Sequence, residues 1–171
     1  PTTEARVLAF LHQHTSIPVP RVRRYVSNPG QTWLLMEKIP GKRLDKVWPH
    51  YIPLQKFLVA WTLRGYIRQL RQVSAAYNRR HIPGPMSDKP EKCNGIKYLF
   101  SLRPAGPFKS SKEIVTFFDR YGTRAIDYTQ PLVLTHGDLS MRNMIVGDDG
   151  KLWLVNWEWS AFYPPCFEYI A

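Results

Sequence analysis

The most informative stretch of the chain is LTHGDLSMRNMIV, from Leu134 to Val146, followed by LWLVNW from Leu152 to Trp157. It places Asp138 and Asn143 five residues apart, between two short apolar runs. An aspartate held on a rigid loop accepts the proton of a hydroxyl group, and an asparagine that enters a strand offers a neutral oxygen to Mg²⁺. The spacing therefore favours a loop that positions a hydroxyl group beside a metal ion. Positioning of this kind is the main contribution of a protein to phosphoryl transfer, so that chemistry is one for which the loop is suited.

The composition is that of a folded domain. The chain has 171 residues, of which 44% are hydrophobic and 13% aromatic, enough for one domain with its own core. Its apolar runs fall short of the roughly 20 residues that cross a bilayer, and its charged first residues do not form a signal peptide. The two cysteines, Cys93 and Cys166, form no ligand or disulfide framework. These features predict a cytoplasmic protein with no membrane partner.

The net charge of +11 has three interpretations. Arg64, Arg68 and Arg71 recur at helical spacing, which favours a solvated helix face. Attraction to a phosphorylated small molecule comes next. Nucleic acid is the weakest interpretation, because no zinc-finger, RNP-like or basic helix-turn-helix pattern accompanies the charge. We therefore expect a small-molecule substrate and no nucleic acid, and the oligomeric state stays open.

Hydrophobic periodicity predicts the elements that surround the loop. The predicted helices are Thr3–His14, a short one from Leu44, Leu54–Arg79, one within SSKEIVTFFDRYG that Gly122 ends, and one that starts at the last residues. The predicted strands are Val22–Val26 and Thr32–Lys38, joined by the turn SNPGQ, and then Leu132–Thr135, Asn143–Val146 and Lys151–Val155. The long helix has apolar residues at Phe57, Leu58, Trp61, Ile67, Leu70, Val73 and Tyr77. Gly65 lies in its middle, so helicity there must depend on packing.

Four segments together resemble a known family: EARVLAFLHQHTSIPVPRV, WLLMEKIPGKRL, THGDLSMRNMIV and GKLWLVNWEWSAFYPPCFEY. In this order they are similar to the aminoglycoside phosphotransferase and choline kinase superfamily, in its fungal form, and the likeness runs from Glu4 to Tyr169. The protein-kinase loop has the same separation of aspartate and asparagine. The resemblance implies an α+β, protein-kinase-like fold, mainly the helical C-terminal lobe with a reduced N-terminal lobe. Residues 1–40 would be the remnant of the N-terminal lobe and the hinge, and residues 41–171 the C-terminal lobe.

The resemblance also implies roles for particular residues, with Mg²⁺ and ATP as cofactors. Asp138 would be the catalytic base, and Asn143 and Asn156 would occupy the metal-ligand positions. Glu4 lies where the family places the ion-pair partner of the ATP-binding lysine. The remaining implied residues are Glu37 and Ile39 in the adenine-binding hinge (Met36 to Ile39) and Trp157, Glu158, Trp159 and Tyr163 on the acceptor-substrate side.

Structural interpretations stand beside these roles. Asp138 could cap a turn, and His136 is better explained as a structural hydrogen-bonding residue than as a chemical one. The helix macrodipole alone accounts for an acid such as Glu4 in a first helical turn. Trp153, Trp157 and Trp159 alternate as they would along one strand face and are mostly core or wall.

Two departures from the family pattern alter the expected function. The phosphate-covering loop and the lysine strand precede the first helix in the family, so a chain that begins at Pro1 is expected to bind Mg²⁺-ATP weakly. Asn156 occupies the position of the family's metal-binding aspartate, and its amide removes a full charge from that site. The hypotheses are therefore a small-molecule phosphotransferase altered in nucleotide and metal binding, a non-phosphorylating pseudoenzyme that binds a small molecule, or different chemistry in the same pocket with Asp138 as base.

Overall fold

The computed structural model describes residues 2–28, 31–77, 82–87, 89–93, 105–119, 127 and 129–169. The described helices are α1 (Thr3–His14), α2 (Leu44–Val47), α3 (Pro53–Tyr77) and α4 (Ser111–Asp119). The described strands are β1 (Val22–Asn28), β2 (Gln31–Met36), β3 (Gly41–Arg43), β4 (Gly84–Pro85), β5 (Val133–Thr135), β6 (Met144–Gly147), β7 (Leu152–Leu154) and β8 (Ala161–Tyr163). The centre of the predicted SNPGQ turn, the predicted helix ends at Arg79 and Gly122, and the last two residues lie outside the described residues. The predicted terminal helix is instead a 3₁₀ turn over Pro165–Tyr169 as far as it is described.

The chain divides into two compact units. The first comprises Pro1–Gln69 and Leu139–Asn156, and the second comprises Leu70–Asp138 and Trp157–Ala171. Because the division falls within α3 and again after Asp138, the long helix and the loop quoted above each contribute to both units.

In the first unit, α1 forms as its sequence predicts. The Thr2 hydroxyl accepts the Ala5 N–H at 3.3 Å and caps the helix, and an apolar stripe on one side is buried. The chain then turns through prolines into β1 and β2, which pair antiparallel from Val22 with Met36 to Asn28 with Gln31. The prediction of a helix followed by a hairpin is confirmed here.

The other sheet of this unit has the strand order β3, β6, β7. The β6–β7 hairpin is closed by the turn that the GDDG sequence predicts, with the Gly147 N–H donating to the Lys151 carbonyl at 2.9 Å. Strand β3 pairs with β6, so that Gly41 lies opposite Gly147. Sequence reasoning missed β3, because a three-residue strand over Gly41–Arg43 has no alternation of its own and is exposed throughout.

The second unit contains an antiparallel sheet in the order β4, β8, β5. Strand β8 carries the consecutive apolar residues of AFY and is completely buried, as is β5. A cluster of buried side chains from α4, β8 and the segment after it forms the adjacent core. The cluster consists of Cys93, Ala105, Phe108, Ile114, Val115, Phe118, Ala161, Tyr163 and Phe167.

One sequence expectation about packing is wrong. Strand β7 ends at Leu154, so Trp157 and Trp159 do not continue its face but belong to the turn that follows. In α3, two of the apolar residues that follow the helical spacing, Phe57 and Trp61, are exposed. The space beside Gly65 is open, because a Cβ atom there would meet nothing within 4 Å. Periodicity detected the helix correctly but could not tell which part of its apolar stripe is covered.

Candidate active-site loop and its supports

The loop that carries Asp138 leaves β5 through a glycine that the backbone requires. Gly137 has φ of +81°, a left-handed conformation that side chains disfavour. A Cβ atom at this position would lie 2.5 Å from the Trp159 carbonyl oxygen, which is closer than nonbonded contact allows. The loop can therefore turn here only because residue 137 has no side chain.

His136 is fully buried, and its main-chain N–H, its carbonyl oxygen and its ring Nδ1 each form a hydrogen bond. Its main-chain N–H donates to Glu168 Oε2 at 2.7 Å, and its carbonyl accepts the Ser160 hydroxyl at 3.3 Å. Its ring lies with its centre 4.5 Å from that of Trp157, and its Nδ1 accepts the main-chain N–H of Asp138 at 3.3 Å. The geometry matches the structural interpretation of His136, because the ring fixes the backbone of the residue that would do the chemistry.

Glu168 is the support that sequence reasoning missed. Its carboxyl group is buried, and burial raises its pKa to about 7, although the N–H groups of His136 and Gly137 and the charge of Arg71 oppose the rise. A glutamate within the apolar segment PPCFEY was the available signal, because a buried acid requires donors. Glu168 thus ties the 3₁₀ turn after β8 to the backbone of the Asp138 loop.

In the first unit, Asn143 and Asn156 lie together beside the β6–β7 hairpin. The Val155 N–H donates to the Asn143 carbonyl at 3.0 Å, and Asn156 Nδ2 donates to Asn143 Oδ1 at 3.4 Å. Asn156 has φ of +67°, a left-handed conformation that asparagine and aspartate adopt more readily than other residues with side chains. The hairpin therefore brings together the two residues that the family pattern places at metal-ligand positions.

These two amides fit Mg²⁺ poorly. Mg²⁺ prefers anionic oxygen ligands, whereas both side chains are neutral and Asn143 Oδ1 already accepts a hydrogen bond from Asn156. Within the described part of the chain, no group of three or more histidine, cysteine, aspartate or glutamate side chains could hold a metal ion. The donor set is that of a hydrogen-bonded amide pair.

The other predicted site residues belong to one or the other of the two units. Glu4 lies in the first turn of α1, and Glu37 Oε2 accepts the Arg21 N–H at 3.2 Å, so Glu37 closes the β1–β2 ribbon. Ile39 is buried. In the second unit, Trp157 and Tyr163 are fully buried, Glu158 is exposed and Trp159 is partly exposed.

The chain is similar to a known protein family and to a solved structure. A profile of the phosphotransferase enzyme family matches residues 2–170. The chain belongs to this family. The solved GDP complex of a mutant aminoglycoside 2′-phosphotransferase-IIIa is similar, with a TM-score of 0.60 and 17% sequence identity. The alignment covers 98% of this chain and 58% of that one.

The structural likeness confirms the predicted fold, which is α+β and kinase-like, with small sheets consistent with a reduced N-terminal lobe. Among curated proteins, no sequence matches this one. No helix in the described residues is both long enough and apolar enough to cross a membrane.

Proposed function

We propose that this member of the phosphotransferase enzyme family is a small-molecule phosphotransferase in which Asp138 is the general base and metal binding is weakened. The observation that carries the proposal is the construction of the Asp138 loop. Gly137 allows the chain to turn just before this residue, the buried His136 ring accepts the Asp138 N–H, and the buried Glu168 accepts the His136 N–H. Such convergent support is what a positioned catalytic carboxylate requires.

In the proposed reaction, Asp138 accepts the proton of the acceptor hydroxyl as that oxygen forms its bond to the γ-phosphorus of a nucleoside triphosphate. The bond between the γ-phosphorus and the bridging oxygen breaks, and the nucleoside diphosphate leaves with the bonding electrons. ATP is the donor that the family implies, and GTP is the alternative that the GDP-bound structural neighbour brings in.

On the acceptor side, the proposed contacts are Glu158 and Trp159, because these two side chains reach the surface. Trp157 and Tyr163 are buried, so we assign them to the wall behind the contacts, with Trp157 packed on His136. Glu4, Glu37 and Ile39 keep their proposed places on the nucleotide side.

The domain organisation, the substrate class and the cellular location are part of the proposal as well. Residues 1–40 would form the remnant of the N-terminal lobe with the hinge, and residues 41–171 the C-terminal lobe. The substrate is proposed to be a small molecule in the cytoplasm, with no role for nucleic acid, and the protein to be of the fungal type.

The hydrogen bond between Asn143 and Asn156 favours a second candidate, a pseudoenzyme that binds a small molecule without phosphorylating it. Two neutral amides joined by a hydrogen bond do not require a cation, whereas the aspartate of the family pattern at position 156 would carry a charge for a cation to balance. The two candidates differ in whether phosphoryl transfer occurs at all.

The test is transfer of radiolabelled γ-phosphate from ATP or GTP to a panel of hydroxyl acceptors that includes aminoglycosides and choline. We expect slow transfer that saturates only at high Mg²⁺ concentration. Replacement of Asp138 with asparagine should abolish transfer, since the amide cannot accept the proton. Ser87→Ala, in a polar surface segment of the second unit, is the matched control and should leave the rate unchanged. Transfer that survives in Asp138→Asn would refute the role of Asp138, and no transfer with any acceptor would favour the pseudoenzyme.

A further inference from the structure

The first half of α3 exposes an unusually apolar face. Leu54, Phe57, Leu58 and Trp61 are 61%, 59%, 52% and 59% exposed, respectively. Their spacing of three and four residues puts them on one side of the helix, over two turns. Phe57 and Trp61 stack on each other with ring centres 5.9 Å apart, so the aromatic surface is continuous. We call these four residues the α3 stripe. Contiguous exposed apolar surface of this kind marks an interaction site.

The charge along the same helix is all of one sign. The sequence from Pro53 to Tyr77 contains lysine and arginine but no aspartate or glutamate. Arg64 lies 5.4 Å from the ring centre of Trp61, at the edge of the α3 stripe. Arg68 is exposed, and helical geometry places it on the same side as the stripe, beyond Gly65. Along this side, the surface therefore changes from apolar to cationic.

Gly65 lies at the point where this change occurs, and the chain's own packing does not require it. A side chain there would meet nothing within 4 Å, yet glycine in a helix interior costs about 1 kcal/mol relative to alanine. A residue without a side chain allows another backbone to approach closely. The position is therefore open to a partner rather than filled by the protein itself.

We propose that the α3 stripe, with Gly65, Arg64 and Arg68, docks an amphipathic acidic helix of a partner protein. Apolar residues of that helix would cover the stripe, and its carboxylates would lie opposite the two arginines. A second copy of this chain fits less well, because α3 contains no aspartate or glutamate to lie opposite the two arginines and each chain has a net charge of +11. An anionic bilayer also fits less well, because Arg68 lies in line with the apolar face rather than on its flank.

The experiment uses a fluorescently labelled synthetic peptide that is helical, with leucines on one face and glutamates on the following turns. The control peptide has lysine in place of each glutamate. We expect the fluorescence anisotropy of the acidic peptide to rise on binding to the wild-type chain, and added salt to weaken this binding. The basic peptide should not bind. Leu54→Ser and the pair Arg64→Glu and Arg68→Glu should each weaken binding at least about tenfold.

Matched controls come from the β1–β2 ribbon, which is also exposed. Leu35 is 60% exposed, so Leu35→Ser removes a comparable apolar side chain, and Arg24→Glu reverses a comparable exposed charge. Both should leave peptide binding unchanged, and circular dichroism should show all variants folded. Failure of the acidic peptide to bind, equal binding of both peptides, or equal loss in the ribbon variants would overturn the proposal. Binding of phosphatidylserine vesicles through the α3 stripe would overturn it in favour of an anionic bilayer. Dimers in sedimentation that depend on the α3 stripe would overturn it in favour of a second copy of this chain.

Discussion

At the scale of single residues, Gly137 and Asn156 both adopt a left-handed backbone conformation, one before and one after the β6–β7 hairpin. Sequence reasoning treated Asn156 only as the loss of a charge. The structure adds that its conformation suits asparagine and aspartate alike, so the backbone does not exclude the family's aspartate. The requirement for glycine at position 137 was not predictable, because it comes from the Trp159 carbonyl, which is distant in sequence.

Replacing Gly137 with alanine should destabilise the protein by more than about 2 kcal/mol, because strain in the left-handed region adds to a clash with the Trp159 carbonyl. Gly150→Ala is the matched control. Its φ is +76°, but its Cβ atom would meet nothing within 4 Å, so only the strain of about 1 kcal/mol remains. Urea denaturation of both variants measures the difference, and equal losses would contradict the close contact at Gly137.

The second residue-scale prediction concerns Glu168 and pH. Because its pKa is raised from 4.5 to about 7 in the folded protein, the folded state holds this proton more tightly than the unfolded state. Its favourable contribution is complete below pH 4.5 and is lost as the pH rises through 7. Glu168→Gln, which stays neutral, should therefore gain roughly 3 kcal/mol relative to the wild type between pH 4.5 and 8. The measurement is the free energy of unfolding across this range. Parallel pH profiles for the two proteins would show that Glu168 is ionised in the folded state.

At the scale of elements, α3 shows what periodicity can and cannot establish. The helix was predicted from Leu54 and begins at Pro53, because its apolar spacing and favourable residues are local properties. Burial depends on what lies opposite, and in α3 the first fully buried side chain is Leu70. Periodicity alone therefore does not tell whether the α3 stripe is buried.

Gly65→Ala should stabilise the isolated protein by up to about 1 kcal/mol, since alanine favours the helix and the new methyl group meets no atom. Ala60→Gly, at another exposed position of α3, is the reverse control and should lose a similar amount. Thermal unfolding reports both. A destabilised Gly65→Ala would mean that a contact already fills the space above the glycine.

Ser74 links α3 to β5 within the second unit. Its buried hydroxyl donates to the Leu70 carbonyl and accepts the Leu134 N–H at 2.7 Å. Ser74→Ala should cost about 1 to 3 kcal/mol, because it leaves that buried N–H without an acceptor. Thr62→Ala is the control, because the Thr62 hydroxyl bonds only back to the Leu58 carbonyl at an exposed position, and it should cost little. Similar losses in the two variants, measured by urea denaturation, would contradict the link.

At the scale of the whole molecule, the order of four motifs predicted the family and the kinase-like fold, because each motif combines residue types at fixed spacing. The pairing of the strands could not be predicted from the sequence in the same way. Gly41 pairs with Gly147, and Pro85 pairs with Ala161, across long stretches of chain that no local pattern connects. The roles of Asp138, Asn143 and Asn156 stay predictions, and the contribution of Glu168 emerged only from its three-dimensional position.

We propose that a phosphotransferase loop persists here with a neutral pair, Asn143 and Asn156, in place of a strong metal site. Calorimetric titration of Mg²⁺ into the wild type, Asn156→Asp and Asn156→Gly tests it most directly. Aspartate and glycine both tolerate the left-handed backbone, so the variants differ chiefly in charge and ligand oxygen. We predict weak binding by the wild type, at least about tenfold tighter binding by Asn156→Asp, and no gain in Asn156→Gly. Tight binding by the wild type that Asn156→Asp leaves unchanged would show that the neutral pair does not weaken metal binding.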